Sequence, residues 1–204
     1  TPLSKALEGQ ELALGPTESH HFGNVLRGKV GFQVYLMDGL GWEASAVCVK
    51  REKRETVMRV QSLVYRDPSF SMTLKGPIPK GKRFPYMLEK CQELGLRSWA
   101  PLSTEHSVRE DFSSSGREKM TERLQDACKQ SRNPWLMHLG ENESLESALV
   151  NPTSTVVLDV DGPSIWDFPV PLNLEKGLQL LYGPEAGWSD GEREQFKAQG
   201  CSIL

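Results

Sequence analysis

The segment Leu178-Gln179-Leu180-Leu181-Tyr182-Gly183-Pro184-Glu185-Ala186-Gly187-Trp188-Ser189 carries the strongest structural signal in this chain. Leu178–Tyr182 is an apolar run of strand length, stopped by a glycine and a proline. Ser189 then precedes Glu192 at the spacing of a capping box, which predicts a helix start. A buried strand, a glycine-rich turn and a helix form the unit from which α/β sheets are built. Ligands in such sheets bind beyond the carboxyl ends of the strands, so 183–188 is a candidate site. Its two glycines let backbone approach a ligand, and the following helix start offers N–H groups without intrahelical partners. The same residues also suit a plain structural turn between strand and helix.

Similar units flank this one. Thr155–Asp159 reads as an apolar strand, followed by the turn residues Asp161-Gly162-Pro163. From Lys82 to Leu94, Phe84, Met87, Leu88, Cys91 and Leu94 form one helical stripe, with Gly95 as a stop signal. Further helices are predicted over Arg117–Ser131 and Glu143–Val150, and strands over Met72–Ile78, Ser98–Leu102 and Cys201–Leu204. Strands alternating with helices predict a parallel sheet covered on both faces. Upstream the pattern differs. Phe32, Val34 and Leu36 alternate with polar residues before Asp38-Gly39, a hairpin signal, and Ala44, Ala46 and Cys48 alternate after it. With Thr56–Tyr65 as a third strand, residues 1–70 read as a small β-barrel, and Asp67-Pro68-Ser69 as the link to an α/β domain over 71–204.

The 204 residues include 24 Lys+Arg and 27 Asp+Glu, a net charge of −3, with ordinary globular hydrophobicity. No apolar run approaches the roughly 18–20 residues of a membrane span. Thr1–Leu14 does not read as a signal peptide, so a cytoplasmic location is expected. The four cysteines are widely spaced without a C-x-x-C pair, which predicts free thiols and no structural metal site. Charge is uneven: residues 1–70 carry +1, 71–110 carry +3 and 111–204 carry −7. Any nucleic-acid partner must therefore use a local basic surface.

The usual nucleotide fingerprints G-x-G-x-x-G and G-x-x-x-x-G-K-[ST] are missing, as are H-E-x-x-H and the G-x-S-x-G elbow. Two polar groups remain. His21, Asn24 and Arg27 stand at i, i+3 and i+6, where a short helix would align them, with Phe22, Val25 and Leu26 packing on the barrel. Lys75, Lys80, Lys82 and Arg83 surround Gly76-Pro77 and Gly81 at the end of a predicted strand, where they suit an anionic backbone. Lys50, Arg51, Lys53 and Arg54 form a further basic run that suits a solvated hairpin edge.

In order along the chain, several segments resemble one family. His21-Phe22-Gly23-Asn24-Val25-Leu26-Arg27 is similar to its H-x-x-x-V-L-R segment, and Leu36-Met37-Asp38-Gly39 to the hairpin that follows. Lys80-Gly81-Lys82-Arg83-Phe84, with Lys90 and Glu93-Leu94-Gly95, resembles its basic loop and first helix. Pro101-Leu102 with Glu105 and Ser107 resembles P-L-x-[ST]-E-R-S, and Ala127–Ser131 resembles A-x-E-Q-[SC]. Leu181–Gly187 resembles I-G-P-E-G-G. This is the ribosomal small subunit methyltransferase E family, of the SPOUT class of knotted methyltransferases.

The resemblance implies a PUA-like RNA-binding barrel followed by a SPOUT-type α/β domain with a C-terminal trefoil knot. It also implies a homodimer that uses S-adenosylmethionine to methylate N3 of a uridine in 16S ribosomal RNA, as free RNA or in the small ribosomal subunit. Carried over by position, Leu158, Asp159, Tyr182, Gly183, Pro184, Glu185 and Gly187 would line the cofactor, with Glu185 as candidate proton acceptor. His21, Asn24, Arg27, Lys75 and Arg83 would face RNA. The chain departs from the pattern at Ala186, which replaces a glycine and fits only with negative φ, at Pro85, and at His106, which replaces an arginine. The family continues past the last strand with a knot-closing L-G-x-R-[IV]-L-R-T-E-T-A segment, so the domain is read as C-terminally incomplete. Two alternatives remain: a non-catalytic RNA-binding module that has lost the cofactor site, and a SPOUT enzyme acting on another RNA position such as a ribose 2′-oxygen.

Overall fold

The structure, a computed structural model, describes residues 3–52, 55–68, 71–107, 113–150, 155–167 and 177–204. Lys53 and Arg54 of the basic run, and Ser69 of the expected link, lie outside them. The chain divides into two compact units, Thr1–Pro68 and Ser69–Leu204.

In the first unit, β1 (Glu11–Ala13), β2 (Gln33–Met37), β3 (Trp42–Arg51) and β4 (Thr56–Tyr65) form an antiparallel sheet in the order β1-β4-β3-β2. The alternation read from sequence is the buried face: Ala44, Ala46 and Cys48 lie inside with Met58 and Val60. Asp38 organises the hairpin, because its Oδ1 accepts from the amides of Leu40 at 2.8 Å and Trp42 at 3.2 Å.

The expected helical stripe of His21, Asn24 and Arg27 does not form. A short helix α1 (Pro16–His20) runs into a π-helical turn, His21–Val25, and Arg27 has a φ of 51°. The wider turn and the left-handed residue break the three-residue spacing. Phe22 is buried against the sheet, but Val25 and Leu26 are exposed.

The second unit is a seven-stranded sheet in the order β11-β9-β10-β5-β6-β7, with β8 also paired to β6. Its strands are β5 (Met72–Gly76), β6 (Ser98–Ser103), β7 (His138–Leu139), β8 (Glu143–Ser144), β9 (Thr155–Leu158), β10 (Leu178–Tyr182) and β11 (Ser202–Ile203). Every pairing is parallel. Helices α2 (Arg83–Glu93) and α3 (Ser114–Ser131) cover one face, where Phe84, Leu88, Cys91 and Leu124 pack on Trp99 and Leu139. Helices α4 (Leu145–Ala148) and α5 (Asp190–Ala198) cover the other, burying Leu145, Trp188 and Phe196 on Val157 and Leu181. The parallel sheet covered on both faces is as read. From β5 the chain builds β6 and β7 to one side, then returns to place β10 and β9 on the other. A topological switch point therefore lies between β5 and β10, where α/β sheets hold their ligands. Among the described residues, no helix is long and apolar enough to cross a membrane.

Candidate functional site

Four loops meet at the carboxyl ends of β5, β6, β9 and β10. The β10 loop is anchored first. Trp188 is buried, meets Phe196 of α5 edge-on at 4.9 Å, and donates its indole N–H to the Leu158 carbonyl at 2.9 Å. Its ring lies so near Gly183 that a Cβ there would stand 3.0 Å from it. Beyond Gly183 the chain closes a turn in which the Gly187 amide donates to the Pro184 carbonyl at 2.9 Å. Gly187 takes a φ of 82°, and its open side has no heavy atom within 4 Å of where a Cβ would be. That combination calls for glycine and leaves backbone accessible. Ala186 is not among the left-handed residues, so its methyl group meets the condition set by the sequence.

The start of α5 carries the capping box read from the sequence. Ser189 Oγ accepts from the Glu192 amide at 3.2 Å and Glu192 Oε2 accepts from the Ser189 amide at 2.8 Å. Asp190 and Glu192 place two acidic residues in the first turn. The capping box takes the Ser189 and Glu192 amides, and the two carboxylates disfavour an anion at this helix end.

The other site residues fall into bracing and exposed groups. Tyr182 is a brace: it donates to the Pro77 carbonyl at 2.9 Å and accepts from Trp99 Nε1 at 3.2 Å, and burial pushes its phenol far up. Its ring covers Gly76, so the ends of β5 and β10 are stitched together. Asp159 is also committed. Arg193 of α5 grips both its oxygens, at 2.7 and 3.0 Å, and holds its carboxyl below the usual carboxylate range. Leu158 and Glu185 remain exposed beside the turn.

The basic loop arrives from β5. Lys80, Lys82 and Arg83 are exposed, and Arg83 Nη1 lies 3.7 Å from Glu185 Oε1. No side chain caps α2, and its first turn holds no acidic residue, so its positive terminus adds to those cations. Lys75 does not join them: its amine is paired with Glu143 at 2.7 Å and is largely buried. It lines a polar groove of about 520 Å³ with Thr73 of β5, Ser98 of β6, Thr155 of β9 and Gln179 of β10. Those groups already bond one another, Thr73 with Ser98 at 2.8 Å and Gln179 with Thr155 at 2.9 Å, and offer a ligand little. In the first unit, Asn24 is exposed and bonds His20 at 3.0 Å, Arg27 is exposed, and His21 is partly covered.

Sequence reasoning missed the β6 loop as a wall of the site. Thr104–Ser107 is a turn closed by the Ser107 amide on the Thr104 carbonyl at 3.1 Å. His106 Nδ1 reaches the Gly187 carbonyl at 3.3 Å, and the Glu105 amide donates to Glu192 at 2.9 Å. Nothing local signals that wall, because spacing alone accounts for Glu192 as a helix cap.

Comparison with known proteins bears on the family and the fold. The family model described as an RNA methyltransferase domain matches residues 66–204. Ribosomal RNA small subunit methyltransferase E of Bacillus subtilis is 25% identical, with 95% of this chain and 83% of that protein covered. The protein of the same name from Synechocystis is 25% identical over 93% of this chain, and the match spans 64% of that relative's length. A Legionella pneumophila structure assigned as a methyltransferase, with bound cofactor SAM, superposes with a TM-score of 0.82 at 25% identity, covering 98% of this chain and 85% of that one. Ribosomal RNA small subunit methyltransferase E from Neisseria gonorrhoeae, bound to S-adenosyl methionine, shares the fold with a TM-score of 0.84 at 22% identity, covering 98% and 84%. The switch-point site, the glycine turn and the family match over most of the chain lead to one assignment: this chain belongs to the RNA methyltransferase family.

Proposed function

We propose that this protein methylates N3 of a uridine in 16S ribosomal RNA, using S-adenosylmethionine held at the Gly183–Gly187 turn. The observation that carries the reading is the meeting of that turn with the basic loop, through Arg83 and Glu185, at the switch point of a parallel sheet. One segment suits a cationic cofactor and the other suits RNA phosphate.

The residues fit the cofactor. Its sulfonium is positive, and the turn is flanked by Glu185, Asp190 and Glu192, which would oppose a phosphate-bearing cofactor. The open side of Gly187 admits close backbone approach, and exposed Leu158 adds apolar surface. Gly183, Pro184, Glu185, Gly187 and Leu158 would hold it, while Asp159 and Tyr182 brace the loops from behind. When bound, S-adenosylmethionine supplies an electrophilic methyl group.

The chain's own residues then handle the proton and the charge. Uridine N3 carries a weakly acidic imide proton, which Glu185, exposed at the turn, would accept. Arg83, 3.7 Å from Glu185, can donate to O2 or O4 as negative charge grows on the base. Lys80, Lys82 and the uncapped end of α2 hold phosphates, as do His21, Asn24 and Arg27 of the first unit. Lys75 contributes by bracing the β8 end through Glu143. The reading extends to a PUA-like closure of the first sheet, a trefoil knot, a homodimer and a cytoplasmic setting. Its support there is the ordered set of family motifs.

Calorimetric titration of S-adenosylmethionine into the protein, followed by mapping of the methylated nucleotide in small-subunit RNA, tests it. Binding and a single methyl group on a uridine N3 are expected. Glu185→Gln is expected to lower kcat by about 10²–10⁴-fold, with a smaller change in cofactor affinity. RNA binding without cofactor binding would replace the reading with a non-catalytic module, and methylation of a ribose 2′-oxygen would move it to another RNA position.

A further inference from the structure

We infer that Glu192 is a positioning residue: its one buried carboxylate sets the spacing between the β6 loop and the β10 turn, and so the shape of the cofactor site. The inference rests on the cofactor reading above. Glu192 is 5% exposed, and its two oxygens serve different loops. Oε2 accepts from the Ser189 amide at 2.8 Å, fixing the chain as it leaves the turn. Oε1 accepts from the Glu105 amide at 2.9 Å, fixing the β6 loop. A helix cap needs only the first bond, so the second is an addition to it. It tethers the loop one residue before His106, whose ring reaches the Gly187 carbonyl at 3.3 Å. Both ends of the β6 turn's contact with the cofactor turn therefore depend on where Glu192 sits.

A carboxylate is suited to this role because both oxygens only accept. In Glu192→Gln one oxygen can still accept from either amide, while the –NH₂ faces the other N–H and drives the two loops apart. Glu105→Pro removes the same tether from the opposite side. Glu105 is the second residue of the Thr104–Ser107 turn, a position proline favours, and the change leaves both bonds of the α5 capping box in place. Ser189→Ala is the control. It removes the helix-capping hydroxyl bond to the Glu192 amide and leaves both carboxylate contacts in place.

The experiment measures the Kd of S-adenosylmethionine by calorimetry and the Tm of each protein. Glu192→Gln and Glu105→Pro are each expected to raise Kd about tenfold or more, the scale of losing a bond to a charged group. Ser189→Ala is expected to lower Tm with a Kd within about twofold of the parent, a separation that a purely structural Glu192 would not give. If Glu192→Gln does not fold, Glu105→Pro alone decides the matter. A parent protein that binds S-adenosylmethionine while Glu105→Pro binds it equally well overturns the positioning role, as does a Ser189→Ala protein weakened as much as Glu192→Gln. A parent protein that does not bind S-adenosylmethionine overturns the cofactor reading itself.

Discussion

At the scale of single residues, the loops of this site are held by groups that look dispensable in sequence. Asp159 follows a strand and resembles a ligand-facing acid, but Arg193 takes both its oxygens, and Arg193 also reaches Asp161 at 3.1 Å. The hydrogen bonds from Arg193 are the main reason the Asp159 carboxyl lies below its usual range. The sign of the linked stability follows. A folded-state value below the unfolded one stabilises the protein above the unfolded value, and that contribution is lost as pH falls through the folded value. Asp159→Asn is therefore expected to lower stability by about 2 kcal/mol at neutral pH. The gap between variant and parent should begin to shrink as pH drops below about 4, where the unfolded chain takes up the proton first, and should close only below the depressed folded-state value. Urea unfolding at pH 7 and pH 3 checks both points. A gap unchanged between the two pH values would mean that Arg193 contributes nothing through charge.

At the scale of elements, the seam between β5 and β10 is the feature on which the site depends. The Tyr182 ring rests on Gly76, where a Cβ would collide with it, and the ring is locked by Trp99 and Pro77 at its hydroxyl. Gly76→Ala is expected to cost about 1–3 kcal/mol by overpacking. In a Tyr182→Ala background the cost should largely vanish, so a double-mutant cycle on chemical denaturation reads the coupling directly. Much of this layer is legible in sequence, for definite reasons. Leu178–Tyr182 and Thr56–Tyr65 match their observed strands because apolar content and flanking turn residues bound them on both sides. Helix α2 is plain from its stripe. Helix α3 begins at Ser114, three residues before the expected Arg117, because the cap is Ser113, whose Oγ accepts from the Gly116 amide. The two-residue strands β7 and β8 are too short to show any period. The π-helical turn at His21–Val25 defeats a reading based on 3.6 residues per turn, since its period is a different one. The contacts of His106 and Glu192 span more than eighty residues of sequence and leave no local trace.

At the scale of the whole molecule, the charge pattern separates tasks that the net value of −3 hides. Strand order, which sequence does not encode locally, brings the basic loop after β5 beside the acidic turn after β10, although a hundred residues separate them. Every residue assigned to cofactor binding lies within Ser69–Leu204, and that unit has its own two cores, around Trp99 and around Phe196. The first unit packs separate clusters around Leu12 and Phe22, and carries exposed Arg27, Lys29 and Arg51. Separate cores and separate functional groups make the units testable apart. A fragment starting at residue 69 is expected to unfold cooperatively and to bind S-adenosylmethionine within about threefold of the parent Kd, since it keeps every residue assigned to the cofactor. Its RNA affinity should fall and its dependence on salt should become shallower. The log–log slope is expected to drop by about 0.7 for each single-strand phosphate that the first unit neutralises in the whole protein. Calorimetry with the cofactor and RNA titrations at several salt concentrations measure the two quantities independently. Weakened cofactor binding in a folded fragment would place part of that site in the first unit, whereas an unchanged salt slope would show that the first unit's cations do not meet RNA phosphate.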